Sequence, residues 1–249
     1  MLRSGRLLFS LLILAGWSCS RPFLQQVQLQ EYVFSDSTNA RADSSIDRRI
    51  QPYRDSLNHT MAKVLAVSAQ PLEKKQPEGA LGDFVADACL QEANAIAREP
   101  ADLAIFNHGG LRRGLPQGPV TLGDVFELMP FDNELVVMTI NGTTLKELLD
   151  FVAAGGGAPV SGIRMQIHDG RADSIRVKGL PLDTSLHYRV LTSDYLANGG
   201  DRFVLFSRAE AREALNLRVR DAIAHYLSML GEKQQTLIIT TDGRIHYAP

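Results

Sequence analysis

Leu81, Phe84, Val85, Ala88, Cys89, Ala93 and Ile96 recur at helical spacing and Pro100 closes the segment, which predicts a helix with one buried face. Val219, Ala222, Ile223, Tyr226, Leu227 and Leu230 predict a second amphipathic helix near the end of the chain. Ile46, Ile50, Tyr53 and Leu57 also share a helical face, although Pro52 predicts a kink or a late start. Thr121 followed by Asp124 reads as a capping box opening a short helix through Leu128. Leu145, Leu148, Leu149 and Val152 form another helix, which stops at Gly155-Gly156-Gly157. Apolar or alternating runs predict strands at Met61–Val67, Ala101–Phe106, Glu134–Ile140 and Tyr188–Thr192, with an edge strand at Val27–Phe34 before the polar Ser35–Ser45 loop. Asp169-Gly170 between Ile163–His168 and Ser174–Val177 marks a hairpin. Asn141-Gly142 reads as a turn, and Leu237–Tyr247 as a closing hairpin around Asp242-Gly243.

Two of these strands run into glycine pairs. After Phe106 come Asn107, His108, Gly109, Gly110, Leu111 and Arg112. Glycine lacks Cβ, so Gly109 and Gly110 are free to adopt positive φ and to let a flat ligand approach the main chain. Asn107 adds an amide that donates and accepts, and Arg112 a permanently charged fork suited to phosphate. Taken alone, the pair is simply a turn and Arg112 a solvated residue. Later, Ser193 to Phe203 repeats the arrangement around Gly199-Gly200. The three glycines at 155–157 follow a helix C-terminus, whose dipole repels anions, so they read as a cap. Cys89, on the apolar helix face, reads as a small core residue.

Arg3 and Arg6 precede an apolar run from Leu7 to Trp17, closed by Ser18-Cys19. This describes a secretory signal over residues 1–18, shorter than a membrane span. Cys19 stands where a bacterial lipoprotein is cleaved and lipidated, ordinary cleavage nearby being the alternative. The expectation is an exported protein held in the cell envelope, at the outer membrane or in the periplasm, with residues 19–45 as the lipidated cysteine and an N-terminal extension. Removing the signal takes away Arg3 and Arg6 and leaves 24 basic against 28 acidic residues. Such a balance gives no general attraction for nucleic acid, and an anionic ligand must be held by placed cations. A lipidated Cys19 leaves only Cys89, so the fold is held by its core, for which 45% apolar content over about 230 residues suffices.

Three segments in order, N-x-G-G-x-R at Asn107–Arg112, P-F-x-N at Pro130–Asn133 and Y-L-A-N-G-G-D-x-F at Tyr195–Phe203, resemble the C-terminal, substrate-binding domain of the 5'-nucleotidase and UDP-sugar hydrolase family. The resemblance covers most of the chain after the signal. It implies an α+β fold, mixed sheets with packed helices, as a single domain over residues 46–249. Glu78 to Asp83 looks like the family's opening of the helix at 81–96, but Pro77 stands where the family usually carries an arginine. Lys74 or Lys75 is close enough in sequence to reach in, as a mobile point charge and not a bidentate fork.

The resemblance places Phe131 and Tyr195 on the family's base clamp, Asn107 at the base edge, Asp201 on ribose hydroxyls and Arg112 on ribose or phosphate, with Gly109 and Gly110 lining the loop. Singly, Phe131 also reads as a core aromatic and Asp201 as a loop cap. In the two-domain enzymes an N-terminal metallophosphatase domain, with Asp-x-His and Asn-His-Asp or Asn-His-Glu segments, holds the metals. Here Asn107-His108 precedes Gly109 and Asn58-His59 precedes Thr60, while His168, His187, His225 and His246 have no ligand spacing. No metal or cofactor is therefore assigned to this chain, and divalent metals are expected in a partner. The resulting expectation is the nucleotide-recognition component of a split 5'-nucleotidase, not active alone, in nucleotide catabolism. Its rivals are a stand-alone lipoprotein that captures nucleotides or nucleosides, and a relic fold in a structural or adhesive role.

Overall fold

The computed structural model describes residues 44–248. The signal at 1–18, Cys19 and the strand at Val27–Phe34 lie outside the described residues. Helix α1 (Ser44–Met61) runs through Pro52, with no late start, and so displaces the predicted strand onset at Met61. Ile46, Ile50, Tyr53 and Leu57 are exposed on it. The chain divides at Ile50, and the residues from Gln51 onward form a compact unit of their own.

In that unit α1 gives way to β1 (Val64–Ser68), followed by α2 (Ala80–Ile96), β2 (Leu103–Ile105), β3 (Gly118–Thr121) and α3 (Leu122–Leu128). The capping box that opens α3 is formed: Asp124 N donates to Thr121 Oγ1 at 3.2 Å and Thr121 N to Asp124 Oδ2 at 2.8 Å. Next come β4 (Glu134–Asn141), α4 (Gly142–Ala154), β5 (Val160–Ser161), β6 (Ile163–His168), β7 (Arg171–Val177), β8 (Leu180–Pro181) and β9 (His187–Ser193). Asn141-Gly142 is not a free turn. The Asn141 side chain accepts from Thr144 N at 2.9 Å and caps α4 directly after the strand. The chain ends with α5 (Asp194–Ala197), β10 (Ala211–Arg218), α6 (Val219–Glu232), β11 (Thr236–Leu237) and β12 (Ile245–Tyr247).

Three sheets have the orders β11-β1-β3, β10-β4-β9-β2-β5 and β12-β6-β7-β8, mixing parallel and antiparallel pairs with packed helices. The predicted α+β fold is thus the observed one. The predicted closing hairpin is not, because β11 pairs with β1 and β12 with β6, in different sheets. The central strands β4, β9 and β2 of the five-stranded sheet are buried on both faces. Along β4, Leu135 and Val137 face a core shared with α2, α6 and β1, while Val136, Met138 and Ile140 face a second core shared with α4, β6 and β7. Cys89 lies fully buried in the first core, where burial pushes its thiol up and keeps it unreactive. Among the described residues no helix is long and apolar enough to cross a membrane.

A polar network sits where α2 meets the C-terminal segment. Arg244, nearly buried, donates from Nη1 and Nη2 to Asp87 at 2.8 and 3.0 Å, from Nε to Asp242 at 3.1 Å, and lies 3.5 Å from Asp83. Burial raises Asp83 to about 7, Arg244 opposing and the neighbouring Glu78 and Asp87 adding to it. The folded chain therefore keeps this proton up to about pH 7, whereas the unfolded chain releases it near the ordinary carboxylate value. Its contribution to stability is full below that ordinary value and is lost as pH rises toward 7. Melting curves from about pH 5 to 8 should show Asp83→Asn losing less stability with rising pH than the parent; parallel profiles would mean Asp83 is ionised throughout.

Candidate functional site

The sheet determines where the glycine loops emerge. Strands β2 and β9 are parallel neighbours, Leu103 opposite Val190 and Ala104 opposite Leu191, so both deliver their following loops to the same edge. Strand β4 runs antiparallel to β9 with Leu135 opposite Ser193, so the segment preceding β4 starts from that edge too. Three loops far apart in sequence, 107–112, 130–133 and 195–201, consequently meet at the carboxyl ends of two parallel strands.

They enclose a cavity of about 300 Å³ lined by Asn107, Gly109, Gly110, Arg112, Phe131, Asn133, Tyr195 and Asp201. All seven residues singled out in the sequence for ligand binding stand in its wall. Asn133 joins them; it was legible only as the last letter of P-F-x-N. Phe131 and Tyr195 are 40% and 44% exposed, too open for core aromatics and available to a flat ligand.

Asp201 ties the site together. Its Oδ1 accepts from the Tyr195 hydroxyl at 2.8 Å and its Oδ2 from Asn107 Nδ2 at 2.5 Å. The bond to Asp201 raises the Tyr195 phenol above its ordinary value, so it stays a donor. Asp201 adopts φ 48°, a left-handed conformation that aspartate tolerates better than most residues. Each carboxylate oxygen has a further lone pair for a ligand donor.

Gly109, Gly110 and Gly200 act through space and not through backbone freedom. Gly109 and Gly110 lie in a short 3₁₀ turn without positive φ, contrary to the flexibility expected of them. A Cβ on Gly109 would come 3.1 Å from Asp201 Oδ2, and one on Gly110 would come 3.1 Å from Asn107 Oδ1. Either would press on the Asn107–Asp201 bond. At Gly200 a Cβ would come 2.5 Å from two ring atoms of Tyr195, so this glycine seats the ring.

Sequence reading missed Arg220, a buried residue on α6. Its Nη1 donates to the Phe131 carbonyl at 3.3 Å and its Nη2 to Asp132 Oδ1 at 2.5 Å, while its guanidinium covers the Phe126 ring at 4.2 Å. The segment carrying Phe131 is thereby fastened to a helix residue 89 positions away in the chain. Only a basic residue early in an amphipathic helix marks it in the sequence. Lys74, considered as a substitute for the missing arginine, donates instead to the Leu111 carbonyl at 3.2 Å and so braces the first glycine loop. Arg112 is the basic residue in the cavity wall, its Nη1 lying 3.4 Å from the Gly109 carbonyl. Beyond the Asn107–Asp201 bond a second cavity of about 220 Å³ is lined by Gln76, Phe151, Phe203 and His108. Burial, with Lys74 nearby, lowers the His108 pKa and keeps that ring neutral.

The family described as "5'-nucleotidase, C-terminal domain" matches residues 60–208, more than half of the chain. The trifunctional nucleotide phosphoesterase protein YfkN of Bacillus subtilis is 30% identical over 83% of this chain and 15% of its own length. A 5'-nucleotidase of Vibrio cholerae is 28% identical over 69% of this chain and 32% of its own. Among solved structures, the 5'-nucleotidase precursor from Thermus thermophilus superposes with a TM-score of 0.69 at 28% identity, over 82% of this chain and 43% of that one. The chain thus spans less than half of each of these proteins. The motifs, the sheet that gathers them and the extent of the match lead to one conclusion: this chain belongs to the 5'-nucleotidase C-terminal domain family.

Proposed function

We propose that this chain is the nucleotide-recognition component of a split 5'-nucleotidase in nucleotide catabolism, working in the cell envelope with a separately encoded metallophosphatase. The observation that carries the reading is the single cavity in which Phe131, Tyr195, Asp201, Asn107 and Arg112 converge. Phe131 and Tyr195 hold the base by stacking, which any base satisfies, and Asn107 reads its edge. The Asp201 carboxylate takes ribose hydroxyls on its remaining lone pairs, and the Arg112 fork meets ribose or phosphate. No group of three or more His, Cys, Asp or Glu residues placed to hold a metal ion occurs among the described residues. The partner is assigned the divalent metals and the attacking water, while this chain fixes the nucleoside so that the phosphate ester is presented.

The test pairs binding with turnover. Purified chain should bind AMP and adenosine yet release little phosphate from AMP with divalent metals, and should capture a metallophosphatase that restores release. Brisk hydrolysis by this chain alone would overturn the division of labour. Binding without any metallophosphatase partner would point to a capturing lipoprotein instead, and no binding to a structural role. Loss of palmitate labelling in Cys19→Ala would establish the anchor.

A further inference from the structure

A second concentration of basic side chains lies away from the three loops. A cavity of about 320 Å³ is lined by Arg164 of β6, Arg176 of β7, Lys178 of the following turn and Arg244, together with Asp87 and Asp242, and shares no residue with the nucleotide cavity. Arg164 and Arg176 stand directly opposite each other in the β6–β7 ladder, on one face of the sheet. Like charges in that position repel and weaken the pairing.

The carboxylates present are already engaged. Asp87 is held by the Arg244 fork, Asp242 by Arg164 Nη2 at 2.8 Å and Arg244 Nε at 3.1 Å, and Lys178 Nζ reaches Asp102 at 2.7 Å. Arg176 donates to the Gly179 carbonyl at 3.0 Å, and no carboxylate among the described residues pairs with it. Lys178 and Gly179 have φ of 49° and 82°, the left-handed turn in which Asn, Asp or Gly ordinarily comes first. A lysine is kept there at a conformational cost, with its side chain in the cavity wall. The whole chain carries a net charge of −2, so this grouping does not follow from a generally basic surface.

We propose that this cavity is an oxyanion site that takes a small soluble phosphate or phosphate monoester between Arg164, Arg176 and Lys178. The bound anion turns the repelling Arg164–Arg176 pair into a clamp, supplying the negative charge that Arg176 lacks.

Thermal melting with increasing inorganic phosphate tests it, against sodium chloride of equal ionic strength. Phosphate should give a saturable rise of about 2–4 °C that is absent in Arg176→Gln. A rise that sodium chloride reproduces, or that Arg176→Gln retains, would overturn the site. Lys178→Gln should weaken the phosphate response and supports the same conclusion. Capture by vesicles containing phosphatidic acid through Arg176, with no response to phosphate, would assign the clamp to a lipid headgroup and overturn the soluble ligand.

Discussion

Phe131→Ala and Tyr195→Ala are each expected to weaken binding of adenosine and AMP about 5- to 150-fold in titration calorimetry, and the pair together to abolish it. The size follows from base–aromatic stacking of about 1–3 kcal/mol per ring. Tyr195→Phe separates the two roles of that residue. It keeps the ring over the base but removes the hydroxyl bond to Asp201, and should retain most of the affinity. Unchanged affinity in both alanine variants would remove the clamp from the account. So would equal losses in Tyr195→Phe and Tyr195→Ala, which would trace binding to the hydroxyl.

Arg244→Met is expected to cost about 3 kcal/mol of folding stability, because it leaves the buried Asp83 without its cation and the half-exposed Asp87 without its bidentate partner. Total stabilities of single domains are about 5–15 kcal/mol, so the urea midpoint at about pH 8 should move far. Near pH 5 the loss should be smaller, since Asp83 then carries a proton and less charge is stranded. A midpoint that does not move at either pH would mean that the network is idle. Arg244→Lys should keep only part of the stability, lacking the fork that grips both oxygens of Asp87.

The helices at 80–96 and 219–232 were legible because their apolar faces are broad and both lie against one core. The strands that escaped notice are short or lie at edges. Residues 211–218 alternate only weakly, with Leu215 and Leu217 partly buried, because β10 borders the sheet and needs little apolar surface. Strands β11 and β12 looked like partners because they are close in sequence around a turn-like Asp242-Gly243. Long-range pairing sent each to a different sheet, and no local pattern encodes that choice.

For the cavity, residue types and spacing marked the wall residues, while the reasons for some of them appeared only in three dimensions. Gly109, Gly110 and Gly200 are glycines because of what stands beside them, which is Asp201, Asn107 and Tyr195. Arg220 was marked only as a basic residue early in a helix, since its importance lies in the carbonyl and carboxylate it meets across the molecule.

Because the three loops that line the cavity leave from strands whose two faces are both sealed in hydrophobic packing, the feet of those loops are rigid even if their tips are rebuilt. Selectivity for a new ligand could thus arise by exchanging a few tip residues in any one of the three segments, with the scaffold left untouched. A change in one segment leaves in place the architecture on which another contact is built.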